Sequence, residues 1–317
     1  MPCVPIASIA NFDGIDFCVA ENVRKFYQRL GCLPVLARTA LPADILVILR
    51  GSGTEIDCRD YQEVHVFNYV GQSRSGLRLR NVCSLVYIES QPSLERLRPQ
   101  SDREPSLIVP ARHPVYPELW RTDLRPIRYG CCHIGNYKRL SSGTTVDEVQ
   151  QCLIDYITTT RSPVWGRGWD NILPKACRMG SVSLWKVLTL YAKSRVSLGL
   201  RYPCQRDHRL ISSRYWLASL NGCPTVSEEP PLDVDMPGII FRPYATSNEL
   251  SLSMPERHSL VEAATEYWQR VTRRMEDALR PRIESLCPRP RSPWQLRLAR
   301  LRYANEVVLR KIKSALE

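Results

Sequence analysis

Ile45-Leu46-Val47-Ile48-Leu49 is an apolar run that stops at Arg50. It is far shorter than the roughly 18–20 residues a membrane span needs, and no other run approaches that length. It reads as a buried strand, because a strand without polar alternation must be covered on both faces. Further strands are expected at residues 34–37, 64–70, 82–88 and 106–110, with a helix over 21–30 that ends at Gly31, a residue suited to the turn after a helix. Spacings of about 15–20 residues, with glycine-rich joints at 51–53 and 71–76, predict a parallel sheet. Neither joint matches a dinucleotide fingerprint or a P-loop.

Four prolines fall between Pro110 and Pro126. An inter-domain linker is expected there. A second alternating pattern follows, with strands at 128–134, 164–165, 194–200 and 224–227 and helices at 146–158, 184–192 and 213–220. No residue-level repeat is visible. Ser253 and Glu256 have capping-box spacing ahead of a helical stripe of Leu260, Ala264, Trp268, Val271, Met275 and Ala278. Pro281 should kink or end that helix. Another helix is expected from Ser292-Pro293 to the last residue. The expected fold is α/β, two Rossmann-like domains facing across a cleft, with C-terminal helices. The first domain takes residues 1–120 and the returning helix 292–317; the second takes 121–291.

Lys and Arg total 44 against 32 Asp and Glu, a net charge of +12, and 37 of the 44 are Arg. A GC-rich genome explains Arg in place of Lys but not the shortage of acids. Such a chain meets nucleic acid, an anionic membrane surface or phosphorylated substrates. From Arg289 onward eight basic and two acidic residues carry half of the excess. No secretory signal is read at the N-terminus. The 12 cysteines form no CxxC pair. Cys83, Cys152 and Cys223 lie in apolar surroundings, and Cys131 and Cys132 should face opposite sides of a strand. They read as reduced core residues of a cytoplasmic protein, with no metal site and no cofactor expected.

Residues 200–214 hold the densest constellation, with Arg201, Arg206, His208, Arg209 and Arg214 ahead of the helix that Ser212 and Ser213 open. Ligands of open α/β sheets bind at that edge, and these cations suit a diphosphate. In Trp165-Gly166-Arg167-Gly168-Trp169-Asp170, the glycines permit close approach to a ligand and the indoles offer faces for a base or sugar. Gly135, Asn136 and Tyr137 follow the first strand of the second half. Asp13, Asp16, Glu89 and His113 are the acid–base candidates of the first half. Glu89 is favoured as general base, at the sheet edge after an apolar strand, with Asp13 second. Asp233-Val-Asp235 has the spacing of a metal motif but lies among prolines.

Residues 125–245 resemble the C-terminal half of GT-B nucleotide-sugar glycosyltransferases, most closely the spore-coat-type group. The match centres on 194–228, where Arg214, Trp216 and Gly222 follow the family's pattern before a short strand, and on the glycine turn 165–169. The resemblance implies a UDP-sugar donor, with Arg206, Arg209, Ser213 and Arg214 at the diphosphate. Trp165, Gly168, Trp169 and Asp170 would lie near the base, and Gly135 and Asn136 at the cleft. Many members place a glutamate where Leu217 stands; Glu228 is the substitute for the ribose contact. The expected activity is sugar transfer to a polyanionic acceptor, with DNA carrying a hydroxymethylated pyrimidine as first choice. A surface polysaccharide or lipid-linked glycan at an anionic membrane is the rival acceptor. A non-catalytic nucleic-acid-binding protein and another α/β enzyme acting on a phosphorylated molecule are the rival classes.

Overall fold

The computed structural model describes residues 4–11, 17–37, 40–50, 55–68, 76–90, 95, 98–137, 148–201, 206, 212–228, 236–288 and 301. The chain divides into two compact units, one built from Met1–Tyr116 with the segment that begins at Trp268, the other from Pro117–Tyr267.

In the first unit a six-stranded parallel sheet has the order β2-β1-β3-β5-β7-β9. The strands are β1 (Ile6–Asn11), β2 (Leu33–Ala37), β3 (Ile45–Arg50), β5 (Glu63–Phe67), β7 (Leu85–Ile88) and β9 (Leu107–Val109). Helix α1 (Phe17–Arg29) makes the crossover from β1 to β2. Ile45 to Leu49 are each 0% exposed, as an unalternated run requires. β1 had no expectation. Its Ala7, Ser8 and Ala10 are weak strand formers, and their burial comes from the sheet around them.

From β3 onward short strands, for which there was no expectation, stand between the strands of the large sheet. β4 (Glu55–Asp57), β6 (Arg78–Arg80) and β8 (Gln100–Ser101) form a second parallel sheet in the order β4-β6-β8. Each precedes a strand of the large sheet, and β5, β7 and β9 open at Glu63, Leu85 and Leu107, 22 residues apart. Expected strand 82–88 is therefore shorter, and strand 64–70 ends at Phe67. Leu46, Ile48, Val64, Val66, Leu85 and Tyr87 share one apolar cluster with Ile56 and Leu79 of the small sheet and with Cys58 and Leu77 beside it. Asn81, left-handed at φ 56°, donates from its side chain to Asp57 Oδ1 (3.0 Å), and Asp102 accepts from the backbone N–H groups of Asn81 and Val82. One Asp or Asn per turn thus links neighbouring turns.

The second unit has one parallel sheet, ordered β11-β10-β12-β13-β14. Its strands are β10 (Tyr129–Ile134), β11 (Val164–Trp165), β12 (Ser194–Leu198), β13 (Thr225–Ser227) and β14 (Ile239–Phe241). Helices α2 (Glu148–Thr160), α3 (Leu184–Ala192) and α4 (Ser213–Ser219) join them. Cys131 and Cys132 are buried on opposite faces, Cys131 near Tyr156 Oη (3.6 Å) and Cys132 beside Cys223. Cys83 and Cys152, expected in the core, are exposed.

Helix α5 (Met254–Glu284) follows, and its capping box forms as expected, with Ser253 donating to Glu256 Oε2 (2.6 Å). Pro281 does not end it. Proline this close to the end removes one backbone donor, and Arg282 anchors the last turn through Glu63 Oε1 (2.6 and 2.9 Å), Ser84 Oγ (2.6 Å) and Ser106 Oγ (3.0 Å). The helix expected over 292–317 lies outside the described residues, Leu301 excepted.

Arg257 in the first turn of α5 is 1% exposed. It donates to the carbonyls of Gly222 (3.0 Å), Arg125 (2.8 Å) and Ala192 (2.6 Å). Arg257→Ala removes a charged donor from three carbonyls, two of the bonds buried, and is expected to cost about 3 kcal/mol or more, measured by denaturant unfolding. Arg257→Lys should recover only part, since a single ammonium cannot reproduce the planar fork. A loss below ~1 kcal/mol for the alanine variant would contradict this role.

Candidate functional site

At the carboxyl edge of the second sheet, β10 runs into Gly135-Asn136-Tyr137 and β11 into Gly166-Arg167-Gly168-Trp169. The two loops are laced together. Gly135 N–H donates to Trp165 O (2.8 Å), Tyr137 N–H to Arg167 O (2.8 Å), Arg167 N–H to Asn136 Oδ1 (2.8 Å) and Trp169 Nε1–H to Gly135 O (2.8 Å). A Cβ on Gly166 would fall 2.1 Å from Gly135 O, and one on Gly168, at φ 84°, 2.8 Å from Tyr137 O. These glycines therefore admit the neighbouring backbone rather than a ligand.

The tryptophans also differ from expectation. Trp165 is 5% and Trp169 2% exposed. Trp165 packs edge-on against Tyr129 at 5.2 Å, and Trp169 against His133 at 5.4 Å and Tyr137 at 5.1 Å. Inward alternation and the bond from Trp169 Nε1 make both indoles core, without a face for a base. Asp170 is exposed and pairs with Arg178 at 2.7 Å.

Arg214, the second residue of α4, reaches this edge. A Cβ on Gly135 would lie 2.0 Å from its Nη1 and 2.8 Å from its Cζ, so the guanidinium fills the space that glycine leaves. Arg214 is half-buried and makes no ion pair or hydrogen bond with any described residue. Tyr215 lies against Gly199 in the same manner, 2.8 Å from that residue's absent Cβ, and its hydroxyl meets Ser227 Oγ at 3.1 Å. α4 is thus seated on the glycine ends of two strands.

Of the remaining donor-side residues, Ser213 opens α4, and the side chain of its N-cap Ser212 makes no capping bond. Arg206 donates to Arg201 O (3.0 Å). Arg209 and the Asp233–Asp235 pair lie outside the described residues. Glu228 accepts from Tyr244 N–H (2.9 Å), which commits one oxygen to the chain itself. Leu217, where the family pattern has glutamate, is buried. Arg201 is 1% exposed, with its guanidinium 5.9 Å from the Phe241 ring centroid. His133 is 1% exposed and was passed over in the sequence, where its only signal is a polar residue in an apolar strand.

In the first unit Glu89 stands just past β7, as expected, but it is 3% exposed and both its oxygens are engaged. Oε2 accepts from Asn68 Nδ2 (3.2 Å) and Arg98 Nε (3.1 Å), and Oε1 from Arg98 Nη2. Arg98 in turn covers the Tyr87 ring at 4.8 Å. Both carboxylate oxygens are thus committed to neighbours of the same unit. His113, four residues past β9, is 3% exposed; Asp13 and Asp16 lie outside the described residues. Among the described residues no group of three or more His, Cys, Asp or Glu could hold a metal ion, and no helix is long and apolar enough to cross a membrane.

No family model matches the chain, and no curated protein matches it in sequence. Solved structures do match in fold. The DNA modifying enzyme β-glucosyltransferase, solved with and without uridine diphosphoglucose, superposes with a TM-score of 0.54 at 9% identity over 88% of this chain and 99% of that one. T4 phage BGT in complex with UDP and Mn2+ gives 0.53 at 11% identity over 89% and 99%. Anabaena HepE in complex with UDP and glucose gives 0.50 at 8% identity over 89% and 100%. These neighbours are GT-B glycosyltransferases, and the mixed α/β architecture with parallel sheets is common to them and this chain.

His113 and His133 are both pushed down to about 3. Burial is the main cause, aided by Arg112 at His113 and by Arg214 at His133. Below pH ~6.5 the unfolded chain binds a proton at each imidazole while the folded chain does not. Stability is therefore complete above that pH and is lost toward pH 3, by up to about 1.4 kcal/mol per pH unit for each histidine. Denaturant unfolding at pH 7, 6 and 5 should show the fall, smaller in His133→Gln. A flat profile would mean that the rings are not buried neutral.

Proposed function

We propose that the chain is a glycosyltransferase that moves a sugar from a UDP-sugar to a hydroxyl of a polyanionic acceptor, DNA carrying a hydroxymethylated pyrimidine being the first choice. One observation carries the donor half: a guanidinium without a described acidic partner lies over a glycine at the carboxyl edge of a parallel sheet. A diphosphate is the ligand that such a fork and such an edge suit. In the reaction a base takes the acceptor hydroxyl's proton, the oxygen bonds to the sugar's anomeric carbon, and the bond to the diphosphate breaks. Arg214 compensates the charge that develops on the leaving diphosphate, where electrostatic stabilisation does most for the rate. In this reading residues 121–291 form the donor side, 1–120 with 292–317 the acceptor side, and the setting is the cytoplasm. Within the GT-B class the stretch 214–228 favours the spore-coat-type pattern.

The base belongs to the first half in this proposal. Asp13, two residues past β1, is placed ahead of Glu89, because both oxygens of Glu89 already accept hydrogen bonds. The +12 charge supports a DNA acceptor, since each neutralised phosphate releases counterions. A fold likeness to a DNA modifying enzyme points the same way. A paired base would have to leave the duplex to reach the reacting sugar.

Arg214→Ala should weaken UDP binding by about 1.5–3 kcal/mol in calorimetry. Gly135→Ala should fold yet weaken it too, because the new methyl displaces a flexible guanidinium rather than backbone. Unchanged affinity in both would remove the site from this edge. Asp13→Asn should abolish transfer and leave UDP binding intact; full turnover would return the role to Glu89, tested by Glu89→Gln. Transfer from UDP-glucose to hydroxymethylated DNA should fall steeply with added salt. Transfer to a saccharide and to no modified DNA would overturn the acceptor.

A further inference from the structure

His133 Nδ1 lies 2.7 Å from Leu198 O. A carbonyl only accepts, so Nδ1 carries the proton and Nε2 the lone pair. Burial and the Arg214 charge hold the ring neutral. Nε2 is buried and has no hydrogen-bond partner among the described residues. A buried acceptor left unmet is unusual and calls for a cause. Nε2 lies 3.1 Å, and Arg214 Nη1 2.0 Å, from the point where a Cβ on Gly135 would stand. The lone pair and the guanidinium therefore share the space that Gly135 leaves open, and Trp169 walls the ring at 5.4 Å.

We propose that His133 is the positioning residue of Arg214: its fixed tautomer keeps a lone pair in the space over Gly135, where it accepts an inward N–H of the guanidinium once a diphosphate engages the outward pair. This rests on the reading of the edge as a UDP-sugar site. Bidentate contact with phosphate uses two of the five N–H donors of arginine. An inward N–H then needs an acceptor, and Nε2 is the buried one at hand. A second cation at 133 would repel the guanidinium, so the bond from Nδ1 to Leu198 O, which fixes the neutral tautomer, belongs to the same device.

The test is a double-mutant cycle read by calorimetry with UDP and with UMP, on wild type, His133→Leu, His133→Gln, Arg214→Ala and the Leu/Ala double variant. His133→Leu should lower UDP affinity roughly tenfold, the size of one hydrogen bond to a charged group, and UMP affinity less. His133→Gln, which keeps an acceptor near the Nε2 position, should restore most of the loss. In the Arg214→Ala background His133→Leu should add nothing. Independent losses in the double variant, or wild-type affinity in His133→Leu, overturn the proposal while leaving the donor site standing. Wild-type UDP affinity in Arg214→Ala overturns the donor site and this inference with it. Should the leucine variant not fold, the glutamine variant decides: a tenfold loss there overturns the acceptor role, and near-wild-type affinity that vanishes with Arg214 sustains it.

Discussion

The second unit is organised around a cation that no described carboxylate neutralises. Arg257 is almost fully buried, and its fork ends on three backbone carbonyls. Ala192 closes α3, Gly222 lies just beyond α4, and Arg125 belongs to the segment that leads into β10. Helix carboxyl ends carry unsatisfied carbonyls and partial negative charge, so one guanidinium meets both needs at two helices. Burial costs that charge its hydration and lowers its proton affinity, but an arginine stays protonated. The carboxyl end of α4 is thereby fixed from below, while Gly135 and Gly199 receive its first turn from above. Arg214 stands where it does because both ends of a seven-residue helix are held.

The glycines of this edge divide the labour. Gly166 and Gly168 let one loop's backbone approach another; Gly135 and Gly199 let side chains from α4 lie on strand ends. The first pair builds a rigid floor from two loops, and the second leaves a charged group on top of it. A floor of interlocked backbone amides cannot collapse onto the cation, and for that reason Arg214 stays half-buried without an acid to neutralise it.

Much of this was legible along the chain. Helix 184–192 and strand 164–165 lie where they were expected, and the strand expected over 194–200 forms over 194–198. Gly135, Asn136, Arg167 and Arg214, singled out separately, come together at one edge because parallel strands deliver their carboxyl ends to the same side. Other features were not legible. Burial of Trp165 depends on how a two-residue strand is turned, and two residues establish no period; that of Trp169, four residues on, rests on a loop bond to Gly135 O. The short strands β4, β6 and β8 are two or three residues each, below what any periodicity can register. Glu89 was correctly placed after its strand, but its partner Arg98 comes from a stretch with no regular pattern. The 22-residue spacing of the strands is invisible because the residues that link the turns, Asp57, Asn81 and Asp102, fall at uneven intervals and one of them is an amide.

Successive turns of the first unit from β3 to β9 pair each strand with the one just made, so each closes a loop of about two dozen residues at modest entropic cost. The same sheet needs Arg282 to satisfy Glu63, across a separation of 219 residues. Burial alone pushes the Glu63 carboxyl up, but hydrogen bonds and charge from His65 and Arg282 outweigh it and bring it down to about 2. During synthesis the early turns can therefore wind one upon another as they emerge, while a buried acid at their edge waits for the end of the chain. An open edge of unpaired strand donors and acceptors invites pairing with other chains, and a charged Glu63 at that edge opposes it until Arg282 arrives. A chain cut before Arg282 still contains the residues of every described strand but lacks the cation that closes on Glu63.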